Sequence, residues 1–157
     1  MSAVDSALVT DLYQLTMANA YFQRGMHETA VFELFTRRLP RCRRFLIAAG
    51  LAPALEYLQS LHFDAGELQF LAGLELFAPA FLDQLSTMKF SGTVHAMPEG
   101  QPCFANEPIL RITAPIIEAQ LIESRIINLV QYQTMIASKA ARCYLVAQGK
   151  RLIDFGM

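Results

Sequence analysis

The sequence has few cysteines and none at a spacing typical of a metal or redox site. Its three cysteines are odd in number and widely separated, without a CxxC motif or a Cys/His metal spacing: Cys42, Cys103 and Cys143. This pattern predicts structural thiols in a reducing compartment and no metal site.

The sequence also has no long apolar run. Residues 1–9 contain no basic segment followed by an apolar one, and no apolar stretch approaches the length of about 18 residues that a membrane helix needs. Neither secretion nor membrane spanning is indicated, so we expect a cytoplasmic protein.

Charge is scarce, at 17% of 157 residues, whereas 54% are hydrophobic. This composition excludes a disordered chain and favours one domain with a large core and an unusually apolar or incomplete surface. The net charge of -1 excludes a general attraction for nucleic acid or anionic lipid. A local cluster remains that is either a solvated loop or an anion site, and it consists of Arg37, Arg38, Arg41, Arg43 and Arg44.

Residues 10–21 combine an apolar pattern of helical spacing with polar and aromatic side chains that are placed for contact with a ligand rather than for a core. Leu8, Leu12, Leu15 and Phe22 fall on one stripe of a helix. Thr10 is the predicted N-cap, which places Asp11 and Tyr13 in the first turn. Free backbone N–H groups there could hold a polar or anionic ligand beside the tyrosine ring. The alternative is a surface helix with Tyr13 half buried.

The middle of the chain predicts a mixture of strands and helices. Alternating apolar and polar residues predict a strand over 29–38 and a short one over 45–48. Helical apolar spacing predicts helices over 51–61, 65–74 and 79–88. Short extended runs separated by Pro-Glu-Gly and Asn-Glu-Pro turns predict a compact antiparallel meander over 92–113.

The last part of the chain predicts one long helix, or two consecutive ones, and then a strand. Residues 116–148 contain neither Gly nor Pro, and Pro115 and Gly149 suit the two ends of a helix. A strand is expected over 150–156, with Asp154 and Phe155 near its carboxyl end. A lone terminal strand would leave its backbone groups unpaired, so we expect this chain to be the front part of a longer protein.

Three stretches together resemble the amino-terminal part of nicotinate phosphoribosyltransferase. They are residues 10–21, residues 32–40, and the motifs Pro-Glu-Gly, Asn-Glu-Pro, Glu-Ser and Ser-Lys-Ala-Ala-Arg between residues 98 and 142. The resemblance implies an α+β fold, in which residues 1–114 form the amino-terminal α/β domain of a type II phosphoribosyltransferase. Residues 115–157 would supply a linking helix and the first strand of an incomplete α/β barrel.

The resemblance also implies roles for five residues. Tyr13 matches an aromatic that stacks on the pyridine ring from the partner subunit, and Phe155 matches the ring on the opposite face. Asp11 matches a polar contact of the nicotinamide-using relatives, and its contact with a nicotinate carboxylate would be repulsive unless a cation or water intervenes. Arg37 or Arg38 matches an arginine that reaches phosphate across a homodimer. No residue of this chain matches a catalytic one.

The family forms nicotinate mononucleotide from nicotinate and phosphoribosyl pyrophosphate, coupled to the hydrolysis of ATP with Mg²⁺, in NAD salvage. We expect this chain alone to have no turnover. Two alternatives stay open: a phosphoribosyltransferase for nicotinamide or another pyridine, and a non-catalytic module for dimerisation or binding.

Overall fold

The structure, a computed structural model, describes residues 6–153 and 155. Its helices are α1 Leu12–Gln23, α2 Leu51–Ser60, α3 Ala65–Gly73, α4 Pro79–Ser86 and α5 Ile116–Ala147. Its strands are β1 Thr29–Phe35, β2 Leu46–Ile47, β3 Thr93–Ala96, β4 Pro102–Cys103 and β5 Pro108–Pro115. The predicted mixture of helices and strands is confirmed.

The strands form two antiparallel sheets rather than one meander. β5 lies in the centre of a three-stranded sheet of order β1-β5-β3, and β2 pairs with β4 in a separate sheet. The meander predicted over 92–113 is therefore wrong for β4. Its partner is distant in sequence, since Cys103 pairs with Leu46, and the Gly100 N–H donates to the Ala48 carbonyl at 2.8 Å.

The alternation in β1 is confirmed, but the strand ends at Phe35 rather than at Arg38. Side chains of Val31, Glu33 and Phe35 are exposed, and those of Phe32 and Leu34 pack against the core. The pairing register with β5 shifts between Leu34 and Phe35, and this irregularity ends the ladder.

The predicted helices α2, α3 and α4 are all present, and α3 has a capping box that the sequence analysis missed. The Asp64 carboxylate accepts the Glu67 N–H at 2.8 Å, and the Glu67 carboxylate accepts the Asp64 N–H at 2.9 Å. Ser6 donates to the other Glu67 oxygen, which ties the start of the chain to this helix.

Residues 116–147 form one helix, α5, so the first of the two predicted arrangements, one long helix, is confirmed. Pro115 is its N-cap residue, and the helix ends where Gln148 adopts a left-handed conformation, with φ 48°, ahead of Gly149. Helix α5 packs against α1, α2, β1, β2 and β5. Its buried apolar residues are Ile117, Ala119, Leu121, Ile122, Ile126 and Val130.

Gly50 allows α2 to begin directly against α5. A Cβ atom at Gly50 would lie 2.7 Å from the Leu129 carbonyl oxygen, and its φ of 96° favours glycine. Glu99 Oε1 accepts the N–H groups of Gly50 at 2.7 Å and Leu51 at 2.8 Å, so a distant carboxylate occupies the start of α2.

Small side chains hold β2 against the middle of α5. The Ser138 hydroxyl accepts the Ile47 N–H at 2.8 Å, and Thr134 Oγ1 accepts the Ala49 N–H at 3.2 Å. β2 thus approaches α5 closely at Ser138, which is buried.

The strand predicted over 150–156 is wrong for the described residues, because 150–153 and 155 have no regular secondary structure. Asp154 and Gly156, which belong to the same prediction, lie outside the described residues. The division into 1–114 and 115–157 stays a prediction.

Candidate functional site

Helix α1 begins at Leu12, and Asp11 rather than Thr10 is its N-cap residue. The predicted cap at Thr10 is wrong, because the side chains of Thr10 and Asp11 form hydrogen bonds to α5 and not to the first turn of α1. Thr10 Oγ1 donates to the Leu121 carbonyl at 3.4 Å, and the Ser124 hydroxyl donates to Asp11 Oδ2 at 2.6 Å. Asp11 therefore precedes the first turn, and Tyr13 lies within it.

The predicted apolar stripe is confirmed at Leu15, which is in the core, and at Leu8 and Phe22, which pack against the core, but not at Leu12. Leu12 is 52% exposed, and the buried residues are Gln14, Leu15, Ala18 and Asn19. Two of these four are polar, so a pattern that counts only apolar residues as buried misses part of the buried face. In the sequence, the burial of Gln14 is indicated only by its position directly before Leu15 and four residues before Ala18.

Gln14 connects α1 to α5 and was missed by the sequence analysis. Its side chain is 0% exposed, and its Nε2 group lies 3.2 Å from Glu123 Oε2 and 3.1 Å from the Ser124 hydroxyl. Gln120 Nε2 also donates to Glu123 Oε2, at 3.2 Å. A polar contact layer thus joins the first turn of α1 to the first half of α5.

Tyr13 lies at the edge of this layer with half of its side chain exposed. Gln14 Nε2 donates to the Tyr13 hydroxyl oxygen at 2.9 Å, and 50% of the Tyr13 surface remains accessible. The hydroxyl end of Tyr13 is thus hydrogen-bonded within the protein, while about half of the residue's surface remains accessible to a ligand. Of the predicted site residues, the structure brings Asp11 and Tyr13 together.

Arg37 and Arg38 lie elsewhere, just after β1. Both side chains are exposed and line a cleft of about 560 Å³ whose opposite wall includes Gln131, Thr134 and Met135 of α5. Within the described part of the chain neither arginine forms an ion pair. Both guanidinium groups are available to an anion, and the choice between solvated loop and anion site stays open.

Phe155 is 86% exposed and follows α5 in the chain. The rise along α5 from Ser124, next to Tyr13, to Ala147 is about 35 Å. The Lys150 N–H donates to the Ala147 carbonyl at 2.9 Å, so the chain turns there. The segment from Lys150 to Phe155 spans at most about 18 Å. Tyr13 and Phe155 therefore belong to segments that adjoin different ends of α5.

The cysteines are free thiols with different surroundings. Cys103 is buried, and burial raises the pKa of its thiol, with the Glu107 carboxylate adding to the effect. This fits the structural role predicted for it, whereas Cys42 and Cys143 are exposed and contribute little packing. Within residues 6–153 and 155, no three His, Cys, Asp or Glu side chains are grouped so as to hold a metal ion.

Among the described residues no helix is both long and apolar enough to cross a membrane.

The chain matches the family model of the nicotinate phosphoribosyltransferase N-terminal domain over residues 8–131. It is 48% identical to a nicotinate phosphoribosyltransferase of Mycobacterium tuberculosis over 96% of its own length and 32% of that relative. It is 44% identical to the Bacillus subtilis enzyme of the same name, with 96% and 31% coverage. The chain spans about a third of the length of these curated relatives.

A solved structure has the same fold. The crystal structure of human nicotinic acid phosphoribosyltransferase superimposes with a TM-score of 0.84 and 34% sequence identity, over 95% of this chain and 32% of that one.

Proposed function

The chain belongs to the nicotinate phosphoribosyltransferase family, and we propose that it provides the amino-terminal part of an enzyme that joins nicotinate to phosphoribosyl pyrophosphate. The product is nicotinate mononucleotide, formed with ATP hydrolysis in NAD salvage. The family match over residues 8–131 carries this proposal. The cytoplasmic location expected from the sequence goes with it as a further prediction.

Tyr13 is the residue of this chain that binds the pyridine ring. Its anchored hydroxyl and half-exposed ring suit stacking on a flat heteroaromatic acid, which contributes about 0.5–1.5 kcal/mol beyond the area buried. Asp11 stands beside it but its carboxylate already accepts the Ser124 hydroxyl. Because a nicotinate carboxylate would be repelled there, Asp11 faces the ring edge away from that group.

Phe155 forms the other wall of the site from a second subunit. The resemblance to the family implies that the two rings of one site come from different chains, with Tyr13 beside the first half of α5 and Phe155 in the segment after its end. A two-fold symmetric dimer would supply two such sites, each with Tyr13 from one subunit and Phe155 from its partner.

Arg37 and Arg38 bind phosphate oxygens. Their exposed guanidinium groups, unpaired within the described residues, can form two parallel hydrogen bonds to a phosphate. They neutralise charge and position phosphoribosyl pyrophosphate, while nicotinate is fixed by stacking. Such positioning lowers the entropic part of the barrier.

ATP and Mg²⁺ supply chemistry that this chain's described residues do not hold. Mg²⁺ prefers carboxylate and phosphate oxygens, and no metal-binding cluster occurs within residues 6–153 and 155. The role of this chain is to bind and orient nicotinate and phosphate, and we assign it no general base.

The second half of α5 leads into the end of the chain, which the family resemblance assigns to the first strand of the barrel. Tyr144, Leu145 and Val146 are largely exposed, and an apolar cleft of about 750 Å³ lies beside them, between α5 and the β2–β4 pair. So much exposed apolar surface indicates a face that another part of the enzyme covers.

Product formation tests the proposal. The protein expressed from its full coding sequence is supplied with phosphoribosyl pyrophosphate, ATP, Mg²⁺ and either nicotinate or nicotinamide. We expect nicotinate mononucleotide and little nicotinamide mononucleotide. The 157-residue chain assayed alone should show no turnover. A preference for nicotinamide would replace the proposed substrate, and no product from either would favour the non-catalytic module.

A further inference from the structure

Gln14 is a fully buried amide whose donor group has a defined direction. Its Nε2 is surrounded by Glu123 Oε2, the Ser124 hydroxyl and the Tyr13 hydroxyl, all within 3.2 Å. An amide oxygen turned to this side would face the Glu123 carboxylate and be repelled. The carboxylate therefore fixes the amide orientation, and with it the hydrogen bond to Tyr13.

The cost of burying this amide argues against a packing role alone. Gln14 Oε1 is buried and has no hydrogen-bond partner among the described residues. An unpaired buried acceptor is unfavourable, so leucine of similar size would fill the same space at a lower cost. What leucine cannot supply is the hydrogen bond to Tyr13.

We propose that Gln14 is a positioning residue that holds the Tyr13 ring in its binding orientation before the ligand arrives. The inference rests on the proposed function and deepens it. A tyrosine at the start of a helix with half its surface exposed would otherwise sample several rotamers. With its hydroxyl tied to Gln14, and Gln14 tied to α5, the ring is ordered in advance and binding does not have to order it.

Four variants of the protein at its full coding length separate this role from a structural one. They are Gln14→Leu, Tyr13→Phe, the double variant, and Gln23→Leu, which makes the same substitution at an exposed position of α1. In Gln14→Leu the Glu123 carboxylate keeps its hydrogen bond from Gln120. Tyr13→Phe keeps the stacking ring and removes only the anchored hydroxyl.

We expect Gln14→Leu and Tyr13→Phe each to raise the KM for nicotinate roughly two- to tenfold, with a smaller change in kcat, since each frees one side chain that binding must then order. Because both remove the same hydrogen bond, the double variant should have a KM no higher than the larger single effect. Gln23→Leu should leave KM unchanged. The proposal is overturned if the two KM effects multiply in the double variant. It is also overturned if Tyr13→Phe leaves KM unchanged, and this second test does not depend on whether Gln14→Leu folds.

A second readout needs no substrate. Relaxation of ¹³C-labelled tyrosine rings should show an ordered Tyr13 ring in the unmodified protein and a mobile one in Gln14→Leu, with thermal unfolding confirming that both are folded. A protein with an ordered Tyr13 but no product would refute the proposed function and leave the positioning role standing. An equally ordered ring in both would refute the positioning role.

Discussion

The two halves of helix α5 have similar apolar content but different surroundings. The first half is covered by this chain's own helices and strands, and Ile122, Ile126 and Val130 are buried there. Near the other end, Tyr144 and Val146 are 72% and 78% exposed. The chain therefore covers α5 as far as the buried Ser138, whereas the last turns of the helix present an apolar face.

The two aromatic residues expected at the ligand follow the same division. Tyr13 lies against the first half of α5 and is anchored through Gln14, whereas Phe155 follows the second half in the chain and is largely exposed. One ring is positioned within the chain. The other has most of its surface accessible to solvent.

Truncation of one apolar side chain in each half tests the contrast most strongly. Ile122→Ala should lower the free energy of unfolding of the 157-residue chain by about 2–5 kcal/mol, because it leaves a cavity in the core. Leu145→Ala, at an exposed position, should change it by less than about 0.5 kcal/mol. Urea unfolding of both variants measures this. Equal losses would mean that the two halves are equally packed.

The ionisation of Tyr57 sharpens the account of the packed half. Tyr57 lies on α2, which packs against α5, and burial raises the pKa of its phenol from 10.0 to about 12, against the opposing charge of Arg125. The neutral phenol is favoured in the folded state. Tyr57 therefore contributes about 2–3 kcal/mol to the free energy of unfolding below pH 10, and this contribution is lost as the pH rises from 10 to 12.

Chemical denaturation between pH 9 and pH 12 measures this loss. In Tyr57→Phe the part of the decline that belongs to Tyr57 should disappear, so the two proteins should differ in slope across that interval. Parallel curves would show that the phenol is not held neutral by burial.

Local patterns in the sequence predicted most elements, because helices and alternating strands depend on nearby residues. The helices at 51–61, 65–74 and 79–88 and the strand at Thr29 follow directly from apolar spacing. The pairing of β4 with β2 did not, since it joins residues more than 50 positions apart and no local pattern encodes it.

The site was predicted in part, through family resemblance more than through pattern. Asp11 and Tyr13 were placed correctly beside one another, but the cap was assigned to Thr10, because a threonine before a helix usually caps it. Gln14 was missed because its burial depends on partners in α5 that only the folded chain brings near. The roles of Asp11, Tyr13, Phe155, Arg37 and Arg38 all stay predictions.

Subunit complementation tests the central claim most directly, namely that Tyr13 and Phe155 of different subunits share one nicotinate. Tyr13→Ala and Phe155→Ala are each expected to be weakly active at low nicotinate. Co-expressed in equal amounts, they form mixed dimers in which one of the two sites has both rings. We predict about one quarter of the unmodified activity, as random pairing in a symmetric dimer requires.

The matched control replaces Phe155→Ala by the Tyr13→Ala/Phe155→Ala double variant, which cannot build an intact site with Tyr13→Ala in any dimer. It should show no recovery. Activity of the first mixture no greater than the mean of its two single variants would contradict the shared site.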